Sequence, residues 1–380
     1  MKMKTEILIV GGGLAGLSAA WQLQNIGAEV RLVEARSRFG GRVCTQARES
    51  FADCDLGPSW IWSGQPLVEQ LLRHFNIRSY PQYVDGNLLL QRRDASVEAI
   101  AGASPMKGSL RIDGGVSSLV DGLAHAIDPA SKLLSHQLTG LHASKNGITA
   151  ELLGPGGSLQ CQARQLALVI PPRLAAGLEF SPALPQSCLQ ALRETPTWMA
   201  GHAKFFAIYE KAFWRDQGYC GTAFSECGPL AEIHEATPMS GRSFSLFGFA
   251  GIDAHARELL GEAEFTRRAL AQLGDIFGEA ATHPSKTIFR DWSQQAFTAA
   301  AADRVAQTRH PSYGLSLQPG GSWQGRLEFI SSESAFDNGG LIEGALQSGF
   351  DYAHRRGDGK SATADSTSEP HTASMDWDWL

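Results

Sequence analysis

The sequence lacks the features that would indicate a metal centre, a disulfide framework or a membrane span. Its cysteines form no C-x-x-C pair and show no metal-ligand spacing; they are Cys44, Cys54, Cys161, Cys188, Cys220 and Cys227. No apolar stretch reaches the roughly 18 residues of a transmembrane helix. The first apolar strand begins almost at residue 1, which leaves no room for a cleavable signal peptide. We therefore expect a soluble, cytoplasmic protein with reduced thiols and no bound metal.

The chain also lacks an excess of basic residues. Its 33 Lys and Arg against 39 Asp and Glu give a net charge of −6, and the basic residues are scattered, so nothing indicates nucleic-acid binding. No internal repeat is evident. A chain of 380 residues, 43% of them hydrophobic, can form one large domain or two interleaved ones. A homo-oligomer is left open.

The beginning of the chain carries the strongest motif. An apolar run at residues 7–10 predicts a buried parallel strand. Glycines at G-x-G-x-x-G spacing follow it: Gly11, Gly13 and Gly16. A helical pattern then extends from Leu14 to about Asn25, and a second apolar strand, Val30 to Val33, ends at an acidic residue. This order of strand, glycine loop, helix, strand and acid predicts a dinucleotide site.

Each part of the motif has a physical task. Gly11 allows a tight turn, Gly13 lets the backbone approach a pyrophosphate, and Gly16 lets the helix pack closely on the strand. The helix begins at Leu14 and Ala15, where free N–H groups and the helix dipole favour an anion. Glu34 can accept hydrogen bonds from the ribose hydroxyls of adenosine.

The segment after Glu34 selects the cofactor. Residues 35–42, Ala-Arg-Ser-Arg-Phe-Gly-Gly-Arg, resemble the second glycine signature of FAD enzymes of the flavin amine oxidase superfamily. The resemblance implies that Ala35, Gly40 and Gly41 approach FAD, while Arg36 and Arg42 neutralise phosphate charge. NAD enzymes do not require this second loop, so FAD is predicted.

Further segments resemble the same superfamily and extend the implied FAD site. Residues 55–62 resemble a turn that passes the flavin ring, which places Gly57, Pro58, Ser59 and Trp60 at the cofactor and Trp62 at the substrate. Two buried tryptophans in an ordinary core corner are the alternative. The resemblance also places Leu138 against the adenine and Pro171 where the chain crosses beneath the FAD domain.

The end of the chain resembles the C-terminal FAD motif of the superfamily, at residues 329–335 and 339–345. Glu333 would bind the ribityl–phosphate region, and Gly340 would start the final helix beneath the flavin. The neighbouring cofactor contacts would be Leu341, Ile342 and Ala345. Monoamine oxidases have a tyrosine where Leu341 aligns, and Ser331-Ser332 replace a glycine-bearing pair. No cysteine follows Trp292, so the FAD is predicted to be non-covalent.

Lys204 is the candidate catalytic residue. Strand alternation places it on one face with His202 and Phe206, among apolar neighbours where a buried lysine is costly without a partner. The alternative is a sheet edge from which the lysine reaches water. The segment resembles the strand of flavin amine oxidases that presents a lysine to flavin N5 through a water. The resemblance also implies that Trp292 lies near the flavin, and that Phe206 and Tyr313 line the substrate site.

The predicted fold is α/β, with a Rossmann-like FAD-binding domain and a smaller, mainly antiparallel substrate domain. Residues 1–75, 107–194 and 300–355 are assigned to the first, residues 76–106 and 195–299 to the second, and residues 356–380 to a disordered tail. Local patterns predict a helix capped near Ser117 and running to Ile127, a strand from Leu133 to Leu141, and two separate strands, Leu159 to Ala163 and Leu166 to Ile170. The long helical insertion that covers the cavity of animal monoamine oxidases is nearly absent at residues 76–106.

The leading functional hypothesis is an FAD-dependent oxidase of an amine C–N bond that uses O2 and gives an imine or aldehyde and H2O2. Oxidation of a C–C bond, as in related desaturases, is the second hypothesis, and the missing tyrosine at Leu341 supports it. A non-catalytic flavoprotein subunit is the third, prompted by the short segment 76–106 and by Trp377 and Trp379 in the tail.

Overall fold

The computed structural model describes residues 2–361 apart from residues 51, 103, 306 and 308, with the backbone alone for residues 357–361. Its strands are β1 (Lys2–Val10), β2 (Val30–Val33), β3 (Thr45–Gln46), β4 (Cys54–Asp55), β5 (Ser79–Pro81), β6 (Asn87–Gln91), β7 (Val97–Ile100), β8 (Leu110–Ile112), β9 (Lys132–Leu133), β10 (Gln137–Ser144), β11 (Gly147–Gly154), β12 (Gly157–Leu168), β13 (Glu179–Ser181), β14 (Ala203–Tyr209), β15 (Tyr219–Ser225), β16 (Leu230–Glu235), β17 (Phe244–Ala250), β18 (Lys286–Asp291) and β19 (Leu327–Phe329). Its α-helices are α1 (Leu14–Asn25), α2 (Pro66–His74), α3 (Ser117–Ala126), α4 (Pro172–Ala175), α5 (Gln186–Glu194), α6 (Phe213–Asp216), α7 (Ala254–Phe277) and α8 (Ile342–Ser361).

The beginning of the chain forms the centre of an eight-stranded sheet. Its order is β13-β10-β11-β12-β1-β2-β9, and β19 pairs with β12 beside this path. β1 lies parallel to both neighbours, with Ile7 opposite Val30 on β2 and Gln165 on β12. The apolar run at residues 7–10 is buried, as expected for a central parallel strand covered on both faces. The predicted α/β class is confirmed.

Helix α1 has the predicted bounds and is buried from Leu14 to Leu23. A helix that is apolar on all sides needs partners on all sides. The sheet is one partner and α8 is another, since Ser18 Oγ donates to Leu346 O at 3.4 Å. Gly349 allows this close packing because a Cβ there would stand 2.3 Å from Ala15 O.

The second sheet has seven strands in the order β18-β14-β17-β16-β15-β6-β7. Strand β14 is an interior strand and pairs antiparallel with β17 and β18. Its alternation divides it between two cores: Phe205 packs with Phe265 of α7, and Phe206 packs on the opposite face, which is directed at residues 44–60. The hairpin β6–β7 from the short segment 76–106 extends this sheet. The division of the chain into two domains stays a prediction.

Several predicted boundaries are wrong. The strand predicted from Leu133 to Leu141 is two strands, β9 and β10, because residues 134–136 leave the sheet to pair with residues 34–36. The two strands predicted across residues 159–170 are one strand, β12. The polar pair Arg164-Gln165 interrupts the apolar pattern, but β12 continues because β1 pairs along most of it.

Two helix ends also differ from prediction. Helix α3 begins at Ser117, but the Ser117 hydroxyl accepts a hydrogen bond from Thr45 N at 2.9 Å instead of capping the helix. Helix α8 continues to Ser361, so the disordered tail predicted from residue 356 does not begin there. The rest of that predicted tail, residues 362–380, lies outside the described residues. No helix in the described part of the chain is long and apolar enough to cross a membrane.

Candidate active site

A cavity of about 550 Å³ lies where the carboxyl ends of β1 and β2 face the second sheet. Most of the predicted site residues line it: Gly11, Gly13, Leu14, Ala15, Glu34, Ala35, Arg36, Gly40, Gly41, Arg42, Gly57, Pro58, Ser59, Trp60, Trp62, Leu138, Pro171, Lys204, Trp292, Gly340, Leu341, Ile342 and Ala345. Four do not: Gly16, Phe206, Tyr313 and Glu333. Segments from the whole length of the chain therefore converge on one site.

The two glycine loops touch each other at the floor of the cavity. Gly40 N donates to Gly12 O at 2.7 Å, and Gly13 and Gly40 form a parallel bridge. Gly11 has φ +122, and a Cβ there would stand 2.0 Å from Val169 O. Gly16 lies outside the cavity because it packs α1 on the loop, where a Cβ would stand 1.9 Å from Gly11 O. Only glycine fits at these two positions, because a Cβ would meet the backbone of a neighbouring segment.

The N-terminus of α1 opens into this space without a cap. Its N-cap residue is Gly13, no side chain caps the helix, and no acid lies in its first turn. Free N–H groups at a helix N-terminus and the positive end of the dipole favour an anion such as a pyrophosphate. The arrangement fits the phosphates of a dinucleotide.

Glu34 lines the cavity beside the first glycine loop. Its two carboxylate oxygens accept hydrogen bonds from Gly12 N and Arg36 N, each at 2.8 Å. His136 N donates to Glu34 O at 3.0 Å, which brings the start of β10 and Leu138 alongside. Leu138 is 6% exposed and lines the cavity, so this part of the wall is apolar; its contact with adenine stays a prediction.

Arg42 and Glu333 form a buried ion pair below the cavity. Arg42 Nη1 lies 2.8 Å from Glu333 Oε1, and Ser332 Oγ donates to Glu333 Oε2 at 2.9 Å. Burial acts to raise the pKa of Glu333, but the Arg42 guanidinium and the Ser332 hydroxyl hold that pKa below its ordinary value. The Glu333 carboxylate contacts Arg42 and does not line the cavity. It can therefore orient Arg42, which does line it.

The C-terminal turn before α8 also lines the cavity. Gly340 N donates to Ser332 O at 3.0 Å, and Gly340 has φ +77. Tyr313 does not reach the cavity: its hydroxyl donates to Pro196 O at 2.9 Å, and its ring packs against the turn, 2.8 Å from where a Gly340 Cβ would stand. Leu341 is 39% exposed at the cavity wall.

Lys204 lines the cavity and is 4% exposed. Its Nζ donates to Gly57 O at 2.6 Å, Ser59 Oγ at 2.7 Å and Asp55 O at 3.1 Å. Residues 55–59 thus supply an acceptor for each of its three N–H groups. The predicted alternative, a lysine at a sheet edge that reaches water, is wrong because β14 is an interior strand and the ammonium is buried.

The surroundings of Lys204 shift its ionisation. Burial lowers the pKa of Lys204 to about 7; the carboxylate of Asp55 opposes the shift and the guanidinium of Arg111 adds to it. The Lys204 ammonium also lies 4.5 Å from the ring centroid of Phe247 and 5.0 Å from that of Phe249. Trp292 fixes the same loop, since its indole N–H donates to Leu56 O at 2.7 Å.

Phe206 does not line the cavity, contrary to its predicted place at the substrate. It is fully buried and stacks on Phe247 with centroids 5.0 Å apart and planes at 18°. Alternation gave the correct face, but on that face Phe206 packs in a core with Phe247 of the neighbouring strand β17 and with residues 44–56. Phe206 therefore supports the wall beside Lys204.

Several lining residues were not predicted. They include Gln65, His136, Val169, Trp198, Met199, His202, Phe249, Phe297, Thr298 and Ser332. His202 shares the predicted face of β14 with Lys204, so alternation could have indicated it. Residues 198–200 precede a strand in a short turn, and Met199 has φ +62, which local patterns do not predict.

The charge of the lining is uneven. Among the described lining residues the sole carboxylate is that of Glu34, whose oxygens are already bonded to backbone N–H groups. Near Lys204 the wall includes the aromatic rings of Trp60 and Phe249, and Trp198 also lines the cavity. The described residues also contain no group of His, Cys, Asp and Glu side chains placed to hold a metal ion.

Comparison with protein families agrees with this geometry. Residues 83–355 match the family described as flavin containing amine oxidoreductase, and residues 9–75 match the NAD(P)-binding Rossmann-like domain. The chain belongs to the flavin-containing amine oxidoreductase family. It is an FAD-dependent oxidoreductase, and FAD fits the uncapped α1 N-terminus and the two glycine loops. No cysteine is among the described lining residues, in keeping with non-covalent FAD.

Individual relatives match over nearly the whole chain. The probable flavin-containing monoamine oxidase A of Dictyostelium discoideum is 23% identical over 445 residues, with 91% of this chain and 96% of the relative covered. The human amine oxidase [flavin-containing] B is 24% identical over 453 residues, with 92% and 85% covered. Both alignments are longer than this chain, so parts of these relatives have no counterpart here.

Solved structures show the same fold. Cyclohexylamine oxidase from Brevibacterium oxydans superposes with a TM-score of 0.78 at 19% identity, covering 94% of this chain and 99% of that one. Putrescine oxidase bound to putrescine gives a TM-score of 0.77 at 19% identity, with the same shares covered. These likenesses confirm the FAD amine oxidase fold.

Proposed function

We propose that the protein oxidises the C–N bond of an amine with O2 as electron acceptor. Bound FAD would supply the redox chemistry, taking a hydride from the carbon next to nitrogen and passing two electrons to O2 to give H2O2. The resulting imine would hydrolyse to an aldehyde or ketone. The observation that carries the proposal is the buried Lys204, which lines the cavity beside the aromatic rings of Trp60 and Phe249.

Lys204 would provide positive charge or a proton where O2 is reduced. A fixed charge in a site that excludes water stabilises developing negative charge more strongly than the same charge in solvent. The three acceptors from residues 55–59 hold the Lys204 side chain in one position. A water that reaches Nζ must replace one of them, and the bond to Asp55 O is the longest at 3.1 Å.

The walls of the cavity would select the substrate. The aromatic surfaces near Lys204 suit an apolar amine, and no carboxylate in the described lining is free to pair with a second ammonium. Burying an unpaired charge is costly. We therefore expect a monoamine with an apolar body to be the substrate, entering the chemical step as the neutral amine.

Leu341 favours one alternative. Monoamine oxidases have a tyrosine at the aligned position, and the loss of that ring leaves a more apolar wall, suited to oxidation of a C–C bond in a cyclic or unsaturated substrate. The apolar lining beside Trp198 and Phe249 is compatible with such a substrate as well. The position of Lys204 favours the amine.

Steady-state production of H2O2 and a carbonyl product from an amine panel tests the proposal. Butylamine should give H2O2 and an aldehyde, cyclohexylamine should give H2O2 and a ketone, and putrescine should have a kcat/KM at least about tenfold lower than butylamine, ~1.4 kcal/mol. Formation of H2O2 with unsaturated cyclic hydrocarbons as substrates, but with no amine, would instead establish the alternative. A preference for putrescine over butylamine would contradict the substrate argument.

A further inference from the structure

A cluster of three buried charges lies beneath the cavity, and the proposed reaction uses one of them. The cluster consists of Lys204 on β14, Asp55 at the end of β4 and Arg111 on β8. Arg111 Nη2 lies 3.6 Å from Asp55 Oδ2, and each of the two side chains is 1% exposed. Asp55 contributes its backbone oxygen to Lys204 and turns its carboxylate to Arg111. Asp55 therefore lies next to both Lys204 and Arg111, and all three groups are buried.

The pairing of Arg111 with Asp55 is incomplete. Asp55 Oδ1 accepts hydrogen bonds from Thr45 Oγ1 at 2.6 Å and Val116 N at 2.9 Å. Asp55 Oδ2 has no hydrogen-bond partner among the described residues, and neither do Nε and Nη1 of Arg111. The Arg111 guanidinium carries a permanent charge, so it acts on its buried neighbours whatever the pH.

The loop that holds Lys204 is fixed at both ends by this cluster. Asp55 anchors its start through Thr45, Val116 and Arg111. Its end is anchored where Ile61 and Leu110 exchange two backbone hydrogen bonds, each at 2.9 Å, directly beside Arg111. The acceptors of Lys204 therefore cannot move independently of Arg111.

We propose that Arg111 and Asp55 are positioning residues that set the charge of Lys204 in opposite directions. The guanidinium of Arg111 repels the ammonium and favours the neutral amine, whereas the carboxylate of Asp55 attracts it. Other charged groups face the cluster: Glu232 acts on Lys204, while Glu235 and the phenol of Tyr80 act on Arg111. Burial raises the pKa of Asp55, and Arg111 opposes that shift together with the hydrogen bonds from Thr45 and Val116. The inference rests on the function proposed for Lys204, but its test measures ionisation alone.

The shift of the Lys204 pKa to about 7 agrees with this arrangement. Burial is the largest cause of the lowered pKa; Arg111 lowers the pKa further, and Asp55 raises it. Because the three acceptors of Lys204 suit the ammonium, the balance between its two forms is close. A single charge removed nearby should therefore move it visibly.

The test is a pH titration of the Lys204 ε-carbon by NMR in the full-length, FAD-loaded protein labelled with [ε-13C]lysine. Lys204→Met assigns the signal by its loss. Arg111→Met should move the titration midpoint to higher pH by about one unit or more, and Asp55→Asn should move it to lower pH by a similar amount. Arg173→Met is the matched control, because Arg173 pairs with the buried Asp303 at 2.6 Å and does not act on Lys204.

Opposite shifts in the two variants, with no shift in the control, would support the inference. Midpoints that move in the same direction in the two variants, or that move no further than in Arg173→Met, would overturn it. If Arg111→Met does not fold, Asp55→Asn alone decides, and an unmoved midpoint overturns the inference. Reoxidation of reduced Lys204→Met by O2 is measured separately: an unchanged rate would refute the catalytic role of Lys204 while leaving the ionisation result intact.

Discussion

Replacing Lys204 with methionine should remove a pH dependence from the stability of the protein. Methionine has a similar length and no charge, so the change removes the titrating group and keeps most of the volume. The ordinary lysine pKa of 10.5 applies to the unfolded chain, while burial lowers the pKa of Lys204 in the folded protein to about 7. Between these values the unfolded chain binds more protons than the folded one, so the free energy of unfolding rises with pH.

The magnitude follows from the same two pKa values. Below pH 7 both states are protonated, and the cost of burying the charge, ~5 kcal/mol, is fully present. That cost is relieved as the pH rises from 7 to 10.5. Between pH 7 and pH 9 the free energy of unfolding of the wild type should therefore increase by about 2 kcal/mol relative to Lys204→Met.

Urea denaturation of the FAD-loaded proteins at a series of pH values measures this difference. Lys286→Met is the control, because Lys286 is the first residue of β18 and its side chain is 46% accessible. That variant should follow the wild-type pH dependence. Parallel curves for the wild type and Lys204→Met would refute the reasoning, since they would mean that Lys204 keeps an ordinary pKa in the folded protein.

Three further changes test other parts of the site. Gly16→Ala should lower the free energy of unfolding by about 2 kcal/mol or more and weaken FAD binding, because its Cβ would stand 1.9 Å from Gly11 O; wild-type stability and FAD affinity would contradict the packing argument. Glu333→Gln should cost ~3 kcal/mol in urea denaturation by leaving Arg42 without its buried partner; a cost no larger than that of an exposed Glu→Gln change would contradict it. Leu341→Tyr should raise kcat/KM for an arylalkylamine about fivefold by adding an aromatic wall, ~1 kcal/mol; an unchanged or lower value would show that this position does not contact the amine.

The FAD end of the site could be predicted from the sequence because its information is local. The glycine spacing, the strand before it and Glu34 after it lie within 30 residues, and each glycine has one steric reason that any folded structure must respect. Helix α1 accordingly has the predicted bounds, and Gly16 has the predicted packing role. Elsewhere in the site, a residue could be predicted only where it belongs to a recognised motif.

The remaining errors arise where tertiary contacts override local pattern. Phe206 lies on the predicted face, but no local signal shows that it packs in a core with Phe247 of another strand. The pairing of Glu333 with Arg42, 291 positions away in the chain, has no local signal either, and the contact of Glu333 with FAD stays a prediction. Arg111 was not singled out at all, because nothing in its own segment indicates burial beside Asp55.

Anaerobic mixing of the FAD-loaded protein with an amine panel tests the central claim most directly. The account predicts that an apolar monoamine bleaches the visible absorbance of the flavin in a single turnover. It also predicts that admitting O2 restores the absorbance, with one H2O2 formed for each flavin. Flavin that stays oxidised with every amine but bleaches with an unsaturated cyclic substrate would contradict the claim.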